Sequence, residues 1–182
     1  MKIGVILGTA RHGRKSEHMA QLVFEQLKKR EGVEAQYFDV KDYLTCITNP
    51  PEEPNPKSEE WKKHVLETDG FIVVAPEYNH SYPGELKILL DEAFKEYEKR
   101  CAVVVSVSKG GFGGVRLVEL MHQLISTLKM VPVPSPVNVS KINDVFDEDG
   151  KLLEEAYLPK IEKMLDQLLW YAKILKQGRE QG

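Results

Sequence analysis

The sequence predicts an α/β fold: a doubly wound, five-stranded parallel sheet with helices on both faces. Three observations lead there. Short apolar runs of strand length, Lys2–Gly8, Phe71–Ala75 and Ala102–Val107, recur along the chain. Each is followed by a stretch whose apolar residues repeat at helical spacing. The loops that follow these strands are also the most unusual segments of the chain. Strands alternating with helices imply parallel pairing through right-handed crossovers. In such sheets ligands bind beyond the carboxyl ends of the strands.

The elements follow in order. Lys2–Gly8 is a buried strand, and Ser16–Lys29 a helix with Met19, Ala20, Val23, Phe24 and Leu27 on one face. Glu34–Val40 is the second strand. Asn49–Lys57 holds four prolines, which exclude helix interior and central strand, so it reads as a surface loop before a short helix at Ser58–Thr68. Phe71–Ala75 is the third strand and Glu85–Tyr97 the next helix, with apolar Leu86, Leu89, Leu90, Ala93, Phe94 and Tyr97. Ala102–Val107 is the fourth strand and Val115–Leu128 a helix. Met130–Val133 and Val137–Val139 supply a last strand interrupted by prolines, and Tyr157–Lys176 is a terminal helix with Pro159 in its first turn. No repeat or low-complexity tract interrupts this order, so residues 1–182 read as one domain.

Composition narrows the function. The chain has 182 residues, 42% hydrophobic and 29% charged, enough for a sizeable core. A net charge of -3 argues against a general nucleic-acid surface. No apolar run is long enough to span a bilayer, so no membrane partner is expected. Cys46 and Cys101 fit no metal-ligand spacing, and no signal peptide precedes them. They read as reduced thiols of a cytoplasmic protein without a bound metal.

Three loops converge on one sheet edge: Gly8–Ser16, Pro76–Gly84 and Ser108–Gly114. The first, GTARHGRKS, carries Thr9, Arg11, Arg14 and Lys15 and ends on Ser16, a candidate N-cap. Free backbone N–H groups and the positive end of a helix dipole meet there, which favours a phosphate. Each charge-assisted hydrogen bond adds roughly 1.5–3 kcal/mol. The loop approaches the nucleoside-triphosphate pattern GxxxxGK[ST], but Arg14 lies between Gly13 and Lys15. One inserted residue turns the following helical positions by about 100°. Gly4, Gly8 and Gly13 also miss the dinucleotide spacing GxGxxG, and Gly8-Thr9 lacks the acidic residues of a phosphoacceptor site.

The other two loops suit a planar, polar-edged ring. Pro76 and Pro83 stiffen the second, Asn79 tolerates left-handed backbone, and Tyr78 and Tyr82 offer flat faces with polar tips. Four glycines in the five residues from Gly110 to Gly114 let backbone N–H groups approach a ligand edge. Glu77 and His80 read as polar loop residues rather than as catalytic acids or bases.

With the three loops in hand, the chain resembles the NADPH-dependent FMN reductase family of flavodoxin-like proteins, which includes azo- and quinone reductases. PEYNHSYPGELKILLDEA resembles the family's most specific block. GTARHGRKS resembles its phosphate loop, and SKGGFGGVR its glycine-rich loop. The resemblance implies that Thr9, Arg11, Arg14, Lys15 and Ser16 hold the FMN phosphate. It implies that Pro76, Glu77, Tyr78 and Asn79 line the isoalloxazine, and that Ser108, Gly110 and Gly111 meet its pyrimidine edge. It further implies a homodimer or dimer of dimers, with NADPH or NADH as co-substrate. Hydride would pass in ping-pong fashion through flavin N5 to a quinone, azo dye, flavin or metal oxyanion. No side-chain acid or base is implied. A flavodoxin-like electron carrier and an FMN-binding regulatory module are the alternatives; carriers are typically very acidic, and three cations in the first loop speak against one.

Overall fold

The computed structural model describes residues 1–45, 47, 53 and 55–181. Strands β1 (Lys2–Leu7), β2 (Glu34–Asp39), β3 (Gly70–Pro76) and β4 (Cys101–Val107) pair in parallel in the order β2-β1-β3-β4. The fifth position is filled by two pieces, β5 (Val131–Pro132) and β6 (Val137–Val139), both parallel to β4. Pro132, Pro134 and Pro136 explain the split. A proline cannot donate to a ladder, so the chain pairs where it can and bows out between.

The helices are α1 (Ser16–Lys28), α2 (Pro56–Glu67), α3 (Gly84–Asp91), α4 (Val115–Thr127), α5 (Ile142–Val145) and α6 (Tyr157–Gln181). Side chains alternate along each strand and feed two cores. Ile3, Val5 and Leu7 of β1 pack under α1 and α6, together with Val103, Val105 and Val107 of β4. Ile6, Val73, Ala102 and Val104 pack under α2, α3 and α4. The sheet is covered on both faces, as the continuous apolar strands require.

Two expectations are revised. The helix expected over Glu85–Tyr97 stops at Asp91, and a separate 3₁₀ turn spans Lys95–Tyr97. At the break Phe94 turns outward, while Tyr97 stays buried and accepts a hydrogen bond from Trp61 Nε1 at 2.8 Å. A tertiary contact decides that turn. The terminal helix instead runs past Lys176 to Gln181. The proline-rich stretch lies mostly outside the described residues, as does Cys46. At its end Asn55 caps α2 by accepting from the Lys57 N–H, with Pro56 opening the helix. Cys101 is a buried free thiol whose pKa burial raises to about 12.

The far end of α6 is anchored at the amino edge of the sheet, remote from the three loops. Asp69 accepts from the Lys2 N–H (3.0 Å), from Lys176 Nζ (3.1 Å) and from Arg179 Nη2 (2.6 Å). Arg179 Nη1 donates in turn to the Lys99 carbonyl. Asp69→Ala should cost about 1.5–3 kcal/mol in urea denaturation, the range for hydrogen bonds to charged groups. Ligand affinity at the opposite edge, about 20 Å away along strands of six residues, should be unchanged.

Candidate cofactor site at the carboxyl edge of the sheet

The three loops do meet. They enclose a cavity of about 510 Å³ beyond the ends of β1, β3 and β4, within the range that holds a small ligand. Nine of the residues singled out from sequence line it: Arg11, Arg14, Lys15, Ser16, Pro76, Glu77, Tyr78, Ser108 and Gly110. Thr9, Asn79 and Gly111 do not.

Thr9 lies behind the cavity. It is fully buried; its hydroxyl donates to Glu85 Oε1 at 2.8 Å and accepts from Tyr78 Oη at 3.1 Å. The same Glu85 oxygen accepts the Ala10 N–H at 3.0 Å. A carboxylate in the first turn of α3 therefore ties the first loop to the second. Nothing in the sequence marked Glu85, because its partner stands 76 residues away.

Arg14 also turns inward. Its guanidinium makes a two-pronged pair with Asp39 at the end of β2 and donates to the Thr9 carbonyl. Both side chains are at least nine-tenths buried. Burial favours neutral Asp39, but the hydrogen bonds from Arg14 and Lys41 outweigh it and hold the carboxyl below its usual range. For Arg14 burial works against the charge too; the bond to Asp39 wins and raises its pKa.

What remains for a ligand is specific. Ser16 is the first residue of α1 rather than its cap, which is Lys15 with no side-chain bond. Its hydroxyl is buried and has no hydrogen-bond partner among the described residues. Leaving a buried hydroxyl unsatisfied costs roughly 1–3 kcal/mol. Beside it, among the described residues, the N–H groups of His12, Gly13 and Lys15 make no hydrogen bond, and Arg11 lies 5.6 Å over the Tyr78 ring. These groups suit an anion of several acceptor oxygens at a helix N-terminus.

The second loop is a tight hairpin. Tyr78 and Ser81 exchange both backbone hydrogen bonds, and Asn79 and His80 between them have φ of 50° and 68°. Such two-residue turns need positive φ twice, which Asn accepts readily. The hairpin presents Tyr78 to the cavity and leaves Asn79 exposed outside its lining. The third loop is stitched to the chain after β6: Lys141 N–H donates to the Gly110 carbonyl and Ile142 N–H to that of Ser108. Gly114, at φ 78°, passes so close to Ser106 that a Cβ would stand 2.9 Å from the Ser106 Cβ. Glu77 Oε2 reaches the N–H of Leu117 in the first turn of α4 at 3.4 Å.

Residues missed from sequence include His12, Gly13, Val107, Phe112 and Arg116, while Gly114 belongs to the glycine run already singled out. Ile142 and Asn143 form a fourth wall. The signal for that wall was available: the segment after Val137–Val139 leaves the same sheet edge as the other three loops.

Residues 1–144 match the family described as NADPH-dependent FMN reductase. The chain belongs to that family. It is an oxidoreductase of the flavoprotein class, with FMN as cofactor and a nicotinamide nucleotide as reductant. The chain is 28% identical to the NAD(P)H-dependent FMN reductase of Schizosaccharomyces pombe, over 74% of this chain and 70% of that one. It is 25% identical to the NADPH azoreductase of Bacillus sp. OY1-2, over 100% and 98%. Among solved structures, the NAD(P)H:acceptor oxidoreductase FerB of Paracoccus denitrificans superposes with a TM-score of 0.77 at 18% identity, covering 97% of both chains. A Streptococcus pneumoniae flavodoxin also superposes, at 0.63 and 13%, over 93% of this chain and 98% of that one. The fold is therefore shared with a flavodoxin, and it is the family match that makes this chain an oxidoreductase.

The two loop arginines should separate in the ligand-free reductase. Arg14→Ala strands Asp39 and should cost about 3–5 kcal/mol in chemical denaturation, as breaking a buried pair does. Arg11→Ala, at an exposed position, should stay within about 0.5 kcal/mol. Because the folded-state pKa of Asp39 is depressed, its stabilisation is complete above the unfolded value near 3.9 and is lost as pH falls through the folded value. Arg14→Ala should therefore flatten the acid limb of the stability profile.

Proposed function

We propose that the protein is an FMN-dependent NAD(P)H oxidoreductase that passes hydride by a ping-pong mechanism to a quinone, azo, flavin or metal-oxyanion acceptor. The observation that carries this reading is the buried Ser16 hydroxyl, which like the neighbouring N–H groups has no partner among the described residues, beside a cavity walled by Tyr78 and the glycine-rich loop. In this reading Ser16, Arg11, Lys15 and the N–H groups of residues 12–15 hold the phosphate. Thr9 and Arg14 act from behind and fix the loop that offers those groups. Pro76, Glu77 and Tyr78 wall the ring on one side, while Ser108, Gly110 and the exposed Gly111 border its edge; Asn79 holds the hairpin that presents Tyr78. FMN, when bound, supplies the atom that accepts and donates hydride, and the chain supplies position and electrostatics. No side-chain acid or base is assigned; the proton that the acceptor takes up with the hydride comes from solvent in this reading.

Residues 1–182 act in this reading as a single FMN-binding domain of a cytoplasmic protein. Among the described residues, no helix is long and apolar enough to cross a membrane. A homodimer or a pair of dimers is also part of the reading. The apolar stretch Glu85–Tyr97 offers little to such an interface: Leu86, Leu89, Leu90, Ala93 and Tyr97 are buried within the chain. Phe94, after α3, and Val115 and Leu120 of α4, a helix packed on the same core, remain exposed and are the surface assigned here. Light scattering should give a multiple of 20.7 kDa; a clean monomer with flavin bound rejects the interface.

Purified protein should show flavin absorbance that bleaches on adding NADPH without oxygen and returns with a quinone. Ser16→Ala and Arg11→Ala should each weaken FMN about tenfold, on the scale of one charge-assisted hydrogen bond. Riboflavin, which lacks the phosphate, should bind both variants as it binds the unsubstituted protein. Equal losses for both ligands overturn the phosphate assignment.

A further inference from the structure

The cavity holds more positive charge than one phosphate needs. Arg11, Lys15 and the start of α1 stand at one end. At the other stand Lys109, on the loop after β4, and Arg116, in the first turn of α4. In the order β1-β3-β4 the two loops are separated by β3, so their strand ends lie two inter-strand spacings apart, about 10 Å. A phosphate seated on the N–H groups of residues 12–15 leaves the second pair of cations without an anion of its own.

That second pair is not consumed by the fold. Lys109 is exposed and makes no hydrogen bond or ion pair among the described residues. Arg116 is half exposed, and its nearest carboxylate, Glu77, stands 4.0 Å away, the outer limit of an ion pair. Its guanidinium lies 5.7 Å over the ring of Phe112. Phe112 is 74% exposed, yet it lines the cavity. An aromatic ring left largely in water beside a cation is a stacking platform: it carries the guanidinium and still exposes ring surface to a second flat group.

We infer that Lys109, Phe112 and Arg116 form a second subsite at the cavity mouth, which takes the adenosine-phosphate half of the nicotinamide dinucleotide. The purine lies on Phe112, and its phosphates meet Arg116 and Lys109. The inference rests on the FMN reading of the inner cavity. It adds a residue set for the co-substrate, whose anionic half must dock outside the ring-binding walls if its nicotinamide is to enter them. Arg116 is suited to this task because a guanidinium presents paired donors to a phosphate while stacking on an aromatic face.

The probe is 2′,5′-ADP, which carries the purine and phosphates and has no redox chemistry. FMN loading is first measured for each protein by quenching of flavin fluorescence. FMN-loaded protein is then titrated calorimetrically at low salt. The unsubstituted protein should bind 2′,5′-ADP saturably with one site per chain. Arg116→Glu should weaken it at least tenfold and Phe112→Ala about three- to tenfold, with FMN affinity within twofold in both. Failure of the unsubstituted protein to load FMN overturns the inner-site reading. With FMN loaded, the subsite is overturned by absence of saturable 2′,5′-ADP binding, by equal binding to the Arg116→Glu protein, or by parallel loss of FMN in that variant. Inorganic phosphate binding as tightly as 2′,5′-ADP shows a plain anion site and overturns the nucleotide assignment.

Discussion

The pairing of Arg14 with Asp39 is the constraint on which the cavity depends. A glycine-containing loop rich in cations has no reason of its own to stay folded over a strand end. One of those cations is spent inward on a carboxylate that β2 delivers, and on a carbonyl of the loop itself. That choice frames the loop from below. It leaves Arg11 and Lys15 facing the cavity, and it leaves the Ser16 hydroxyl without a partner among the described residues. A site is thus made from an incomplete hydrogen-bond inventory on a rigid support.

The second support has the same character. Glu85 gathers the Thr9 hydroxyl and the Ala10 N–H, and Thr9 in turn receives Tyr78. Both carboxylates come from elements other than the loop they hold, and both are satisfied within the chain. The phosphate end of the cavity and its ring wall are therefore one hydrogen-bonded unit. Rigid placement of this kind reduces the ordering that binding would otherwise have to supply. Glu77 extends the linkage across the cavity toward α4, with a longer bond and a half-exposed arginine beside it.

The cavity is strongly cationic in a protein whose net charge is negative. Its lining includes three arginines and two lysines against one carboxylate, Glu77. Subtracting the internally paired Arg14 leaves two cations at each end. Focusing of this kind raises the local concentration of anionic ligands and hastens their arrival, which suits chemistry between a phosphorylated cofactor and a phosphorylated co-substrate.

The sequence by itself determined the sheet, its covering helices and the edge at which function gathers. Those follow from local patterns: apolar runs, helical spacing, prolines and glycines at turns. It also singled out about half of the cavity's lining, because loops after parallel strands share an edge whatever their side chains do. The tertiary structure decided the roles within that lining. Thr9 and Arg14 look like phosphate ligands in a linear motif, but Glu85 and Asp39, distant in sequence, draw them inward. The break after Asp91 was set by Tyr97 reaching Trp61, a contact that no helical periodicity contains. The fourth wall at Ile142 and Asn143 was set by backbone hydrogen bonds to the glycine-rich loop. Hydrogen-bond partners are chosen in space, and a sequence specifies them only through the fold that brings them together.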